Sequence, residues 1–270
     1  MHDWEMALPS FMSVHIKSER TMPGPPERDV CIIAGTGFIV EHCDEMFLVT
    51  NGHIVTGCHR WTDKYLGVPA LPRRLKIKVP FSAENAAGEG VALLGVRELV
   101  IDLFDTADNA KWLVHPQLGR RADVVAIALE DAARSSIPDL PTALLPYSLP
   151  QDDAEMELDT AQDLSVVGFP FGLRGGADSA IWVRGTIASE PAFGFEGEPC
   201  FLIDARTRAG QSGSPVIRSD TRPESDGQGW SLVGVYSGRT DEASDLGRVW
   251  SLSVLRALLD ARQRDVLTFL

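Results

Sequence analysis

AGTGFIVEHCDEMFLVTNGHIV, residues 34–55, decides the fold. Two runs rich in β-branched and aromatic residues, GFIV and MFLVT, flank a short polar step at Cys43 and Asp44, which is the pattern of a β-hairpin. Val49 and Thr50 end the second strand and His53 follows at once, where a loop held by a rigid sheet aims a side chain into a cleft. One histidine carries little by itself, and this chain has six.

Outward from that hairpin the same texture continues. Runs such as SVHIKS, LKIKV, DVVAIAL, LSVVGF, AIWVRGTI, CFLID and SLVGVYS read as short strands, about a dozen in all. Pieces such as MPGPPERD, SAENAAGEG and SDTRPESDGQG supply the Gly, Pro, Asn, Asp and Ser of tight reversals between them. Helical periodicity is confined to residues 252–263, where Val254, Leu255, Leu258, Leu259 and Ala261 approximate one face. Residues 130–162 are Pro-rich and acidic, and read as a connector between two β halves.

Composition narrows the function classes. With 25 Lys+Arg against 38 Asp+Glu, the 270-residue chain carries a formal charge of -13 and is a poor partner for nucleic acid or an anionic membrane. The first twenty residues are acidic where a secretory signal is basic, and no run approaches the roughly 20 apolar residues of a membrane span, so a soluble cytoplasmic protein is expected. Cys31, Cys43, Cys58 and Cys200 form no CxxC pair. Reduced thiols are the expected state, although folding the hairpin brings Cys31 within bridging range of Cys58. Zinc held by His42, Cys43, Cys58 and His59 is disfavoured by the length of the strand between them. No metal or cofactor is expected.

Two further segments carry chemistry. In DARTRAGQSGSPVI, residues 204–217, Ser212 lies between glycines and a strand follows directly. Acyl transfer needs backbone N–H groups aimed at a developing oxyanion, and Gly210 permits the tight path that turns its own N–H inward beside that of Ser212. The segment does not fit GxSxG, and the alternating βα units of a nucleophile-elbow hydrolase are missing. In HPQLGRRADVVAIAL, residues 115–129, Asp123 opens an apolar run. An acid there needs a partner, and a histidine Nδ1–H is one that also fixes the ring tautomer. A strand-initiating turn Asp without chemistry is the plain alternative.

His, Asp and Ser in that order, with GTGFIV followed by TNGHIV and with DARTRAGQSGSPV, resemble the chymotrypsin-like superfamily and, within it, bacterial Deg-type (high-temperature-requirement) proteases. The SGSPV ending is also similar to that of glutamyl endopeptidases. The resemblance implies an all-β fold of two six-stranded antiparallel β-barrels with a C-terminal α-helix. Residues 1–145 would form a barrel carrying His53 and Asp123, and residues 146–270 a barrel carrying Ser212. It implies a serine endopeptidase with His53 as base, Asp123 as orienting acid, Ser212 as nucleophile, and the amides of Gly210 and Ser212 as oxyanion hole. LVGVYSG, residues 232–238, resembles the strand beside bound substrate, which gives Ser237 a place against Asp123 and Gly238 a place in the specificity pocket.

The pattern also departs from the family. His53 and Asp123 stand 70 residues apart, which implies an insertion around residues 62–112 and leaves Asp102 and Asp105 as competing acids. Arg206 and Arg239 imply preference for an acidic side chain before the scissile bond; the alternative is an Arg206 paired with Asp204 or solvent and a pocket for a small apolar residue. Thr207 matches the pocket threonine of glutamyl endopeptidases, while Tyr236 stands where they have histidine. Partners are expected to be protein or peptide substrates. The rival readings are a catalytically silent peptide-binding scaffold and a module that a regulatory partner activates.

Overall fold

A computed structural model describes residues 7–84, 91–129, 144–149, 158–219 and 229–267. The hairpin predicted from residues 34–55 is its centre. Strands β2 (Arg28–His42) and β3 (Glu45–Thr50) pair from Phe38↔Val49 to His42↔Glu45. Cys43 and Asp44 both take positive φ, 51° and 61°, the backbone a two-residue hairpin turn requires. Ile39 and Leu48 point into a core made with Ile16, Ile77, Ile101 and Ile127, while Phe38, Val40, Phe47 and Val49 point the other way into a second cluster. Both faces of this hairpin are therefore buried, which explains its unbroken apolar character.

Around it the N-terminal half builds an eight-stranded sheet. It adds β1 (Ser13–Met22), β4 (Arg74–Glu84), β5 (Val91–Asp102), β6 (Trp112–Leu113), β7 (Val125–Ala128) and β8 (Tyr147–Ser148). The path runs β5-β4-β1-β2-β3-β7-β6, with β8 parallel to β2. The closed six-stranded barrel expected here is not shown: among the described residues β5 and β6 are not joined. The β4–β5 ladder runs from Arg74↔Asp102 to Glu84↔Val91, while β1 pairs β4 only from His15↔Lys78 to Glu19↔Arg74. Half of that hairpin thus projects past the sheet, and β6, two residues long, offers little edge to close on. Strands β4 and β5 lie within residues 62–112, the stretch expected to carry an insertion, and β5 ends the path of the sheet.

The C-terminal half closes. Strands β9 (Asp163–Gly168), β10 (Ile181–Ile187), β11 (Cys200–Ala205), β12 (Pro215–Ser219), β13 (Trp230–Arg239) and β14 (Leu246–Ser251) form a barrel in the order β10-β11-β14-β13-β12-β9. Leu164 and Val166, Phe201 and Ile203, Val216, Val233 and Val249 fill its interior at the two-residue period of strands. Helix α1 (Pro9–Met12) precedes β1, and the predicted C-terminal helix, α3, spans Leu252–Ala261. Arg262, at φ 51°, ends it. Val254, Leu255, Leu258 and Leu259 of α3 pack into the same cluster as Phe38, Phe47, Val167, Val235 and Trp250, so one apolar seam joins the two halves. Most of the acidic connector, residues 130–143 and 150–157, lies outside the described residues, as do residues 85–90 and 220–228 of the predicted reversals.

Candidate active site

His53 stands on a single helical turn, α2 (Gly52–Thr56), rather than on an open loop. The turn forms because Gly57 adopts φ 71° and returns its N–H to the His53 carbonyl at 2.9 Å, closing the helix C-terminus. Asn51, fully buried at the end of β3, donates its side-chain amide to the Asp123 carbonyl at 2.6 Å. The backbones carrying residues 53 and 123 are therefore tied before their side chains meet.

Asp123 lies just ahead of β7 and is 2% exposed. Its Oδ2 is 2.7 Å from His53 Nδ1 and accepts the Ser237 hydroxyl at 2.8 Å, while Oδ1 accepts the His53 backbone N–H at 3.0 Å. Burial pushes the carboxyl up, but the charge of His53 and these hydrogen bonds outweigh it, so the group is held below the usual carboxylate range. Asp102 ends β5 opposite Arg74 of β4, with no hydrogen bond to His53, and Asp105 accepts the amides of Ala107 and Asn109 within its own turn. Of the three acids weighed from sequence, the structure brings Asp123 to the histidine.

Ser212 is held by a run of alternating peptides. The carbonyls of Gly210 and Ser212 accept hydrogen bonds from Thr36, from its hydroxyl at 2.7 Å and its N–H at 2.8 Å respectively. The amides of Gln211 and Gly213 donate to Arg208 and Tyr236 carbonyls at 3.1 and 2.8 Å. Between them, the amides of Gly210 and Ser212 donate to no protein group among the described residues. Gly210 has φ 95°, and a Cβ there would strike the Phe169 carbonyl, so glycine is required on both counts.

A cleft of about 250 Å³ contains Ser212, His53, Asp123, Ser237, Gly238 and Arg239 in its lining. A Cβ on Gly238 would lie 4.0 Å from Ser212 Oγ, which sets how closely β13 passes the serine. Arg239 donates to the Glu242 carbonyl at 2.6 Å and has no carboxylate partner among the described residues. Arg206 is not part of this lining: its side chain is 86% exposed and 3.9 Å from Asp245 rather than paired with Asp204. Thr207 and Tyr236 also lie away from it, buried together inside the barrel with their hydroxyls 2.5 Å apart. Burial pushes the Tyr236 phenol up to about 12.

The cleft is also lined by His59, weighed from sequence only as a zinc ligand, and by Arg60, Trp61, Leu66 and Arg248, which sequence reasoning passed over. Arg60 donates to the Arg121 carbonyl at 2.6 Å, pairs with Glu198 at 3.2 Å and stacks on Trp61, its guanidinium 3.8 Å from the ring centre. Arg248 of β14 reaches the same Glu198 at 2.8 Å and Glu196 at 2.8 Å. An Arg–Glu–Arg clasp thus spans the two halves beside the cleft. Residues 58–61, CHRW, put a cation and an aromatic ring close after His53, a local signal for Trp61 but none for the buried pairing of Arg60. Cys31, Cys43, Cys58 and Cys200 are all free thiols, so Cys31 and Cys58 are not bridged; burial pushes Cys200 up to about 11.

A family model described as a trypsin-like peptidase domain matches residues 35–223. No curated protein matches. Among solved structures, a serine endoprotease from Yersinia pestis superposes with a TM-score of 0.54 at 13% identity, covering 93% of this chain and 62% of that one. The Rv3671c protease of M. tuberculosis in its active form gives a TM-score of 0.47 at 18% identity, covering 94% and 82%. The chain therefore spans less than two thirds of the Yersinia protein's length, and its likeness to that protein, at 13% identity, is one of fold.

Proposed function

Because this chain belongs to the trypsin-like peptidase family, we propose that it is a serine endopeptidase that cleaves protein or peptide substrates through an acyl-enzyme. The observation that supports this reading is that His53, Asp123 and Ser212 all line one cleft, with the histidine held to the buried carboxylate at 2.7 Å. With Nδ1–H donated to Asp123, Nε2 is the basic nitrogen of His53 and takes the Ser212 proton as Oγ attacks the substrate carbonyl carbon. The carbonyl oxygen becomes the oxyanion, and the free N–H groups of Gly210 and Ser212 are the donors for it. As the tetrahedral adduct collapses, His53 passes that proton to the leaving amine and the C–N bond breaks. A water then repeats the sequence on the ester, giving a carboxylate product and restoring the Ser212 hydroxyl.

Asp123 acts by fixing the ring and by matching the imidazolium charge that forms in each half-reaction. Ser237 holds the second carboxylate lone pair in place from β13. The test is cleavage of an unfolded protein by the purified chain, with new amino termini identified by mass spectrometry. Termini produced by the wild type and lacking with Ser212→Ala support the reading; identical patterns from the two proteins refute it.

A further inference from the structure

The serine loop has a feature that its glycine makes necessary. At φ 95°, Gly210 has no side chain to resist rotation of its flanking peptides, so the direction of its N–H must be imposed from outside the loop. Thr36, on β2 and wholly buried, is placed to impose it. Its hydroxyl donates to the Gly210 carbonyl at 2.7 Å and accepts the Phe169 N–H at 3.1 Å, and its N–H donates to the Ser212 carbonyl at 2.8 Å. Its own carbonyl accepts the Thr50 hydroxyl at 2.7 Å, anchoring the residue to the end of β3, one turn before His53. A second tie comes from the Phe171 N–H, which donates to the Ala209 carbonyl at 2.6 Å and so sets the peptide whose other end is the Gly210 N–H.

We propose that the Thr36 side chain is a positioning residue for oxyanion stabilisation, holding the Gly210 carbonyl away from the cleft so that the amides of Gly210 and Ser212 face the developing charge together. It touches neither substrate nor reacting atoms. Its effect is exerted through the Gly210 and Phe169 backbones, and it links the hairpin that carries His53 to the loop that carries Ser212. Removing the hydroxyl leaves a part-buried carbonyl and a buried N–H without this partner, and rotation of the Gly210 peptide toward other donors is the low-resistance response. A hole misaligned in this way costs rate in the tetrahedral transition state and leaves ground-state binding of the substrate unchanged.

This inference rests on the peptidase reading for its kinetic arm and is independent of it for its structural arm. Thr36→Val removes the hydroxyl at nearly constant volume, and Thr36→Ser restores it. The expected result is a fall in kcat of about 10- to 100-fold for Thr36→Val with KM within about twofold, part of the roughly 10²–10³-fold cost of losing a whole oxyanion donor. Affinity for a peptide boronate, which forms a tetrahedral adduct, falls in parallel, and Thr36→Ser recovers both to within about threefold of wild type. A crystal structure of Thr36→Val is expected to show the Ala209–Gly210 or Gly210–Gln211 peptide rotated. Unchanged kcat and boronate affinity, or a structure with both peptides where they were, overturns the proposal. An inert wild type refutes the peptidase reading, and the crystal structure of the variant then still decides the role of Thr36.

Discussion

Ser237 and Asp123, 114 positions apart in the chain, meet through a 2.8 Å hydrogen bond from the Ser237 hydroxyl to Asp123 Oδ2. Through it, the C-terminal barrel helps hold a carboxylate that belongs to the N-terminal sheet. The two side-chain contacts on Asp123 Oδ2 differ in weight, because His53 brings a charge as well as a proton and Ser237 brings a proton alone. Asp123→Asn is expected to reduce kcat about 10⁴-fold through the wrong histidine tautomer. Ser237→Ala removes one neutral donor and is expected to cost about 3- to 10-fold. Steady-state kinetics on one peptide substrate checks both, and equal losses would contradict this division of labour.

The clasp beside the cleft predicts a stability effect. Arg60, Arg248 and Glu198 are each less than a tenth exposed, and Glu198 pairs with both guanidiniums. Glu198→Gln removes the negative charge between two buried cations and is expected to destabilise the fold by about 3–5 kcal/mol. Urea unfolding measures it; a loss below about 1 kcal/mol would show that the ion pairs add nothing beyond packing.

Arg239 and Arg206 divide the specificity question. Arg239 lines the cleft without a carboxylate partner among the described residues, and Arg206 faces solvent near Asp245. Profiling with a peptide library is expected to show that Arg239→Ala lowers the preference for substrates with Asp or Glu near the scissile bond by about 3- to 10-fold, in line with an interaction of about 1 kcal/mol. Arg206→Ala is expected to leave the profile unchanged. The reverse outcome would return the pocket to Arg206.

His15 predicts a pH dependence. It is buried on β1, with Arg174 donating to its Nδ1 at 3.1 Å and Lys17, Lys78 and Asp178 nearby. Burial, then the positive charge of Arg174, lowers its pKa from 6.5 to about 4. Between those values the unfolded chain binds a proton at this site that the native chain refuses, so stability is complete above 6.5 and falls as pH falls. The contribution lost between about pH 7 and pH 5 is about 2 kcal/mol. Thermal unfolding across that range is expected to flatten by this amount in His15→Gln, which keeps an acceptor for Arg174 and cannot take up the proton.

Local chemistry explains which parts of this arrangement were legible beforehand. The turn at Cys43 and Asp44 was readable because a two-residue reversal leaves a fixed gap between two apolar runs. Helix α3 showed itself through Val254, Leu255, Leu258 and Leu259, a stripe that only a 3.6-residue period produces. His53, Asp123 and Ser212 were marked by their position at strand ends and among glycines. Closure of the N-terminal sheet was not readable, because it depends on how far β4 and β5 outrun β1, a register that strand composition does not encode. The same holds for Arg60 and Glu198: their pairing spans 138 positions, and nothing local distinguishes a buried arginine from a solvated one until its partner is in place. Arg206 misled for the converse reason, since six residues upstream of Ser212 is a distance along the chain, and the chain turns its side chain outward there.

The central claim is that Ser212 is a nucleophile activated by His53 in the folded chain. Reaction of the purified protein with a fluorophosphonate probe, followed by proteolysis and mass mapping of the adduct, tests it directly. One adduct is expected, on the peptide containing Ser212, abolished by His53→Ala and by prior heat unfolding. Modification of other serines with Ser212 untouched, or labelling of Ser212 that persists in His53→Ala at the wild-type rate, would contradict it.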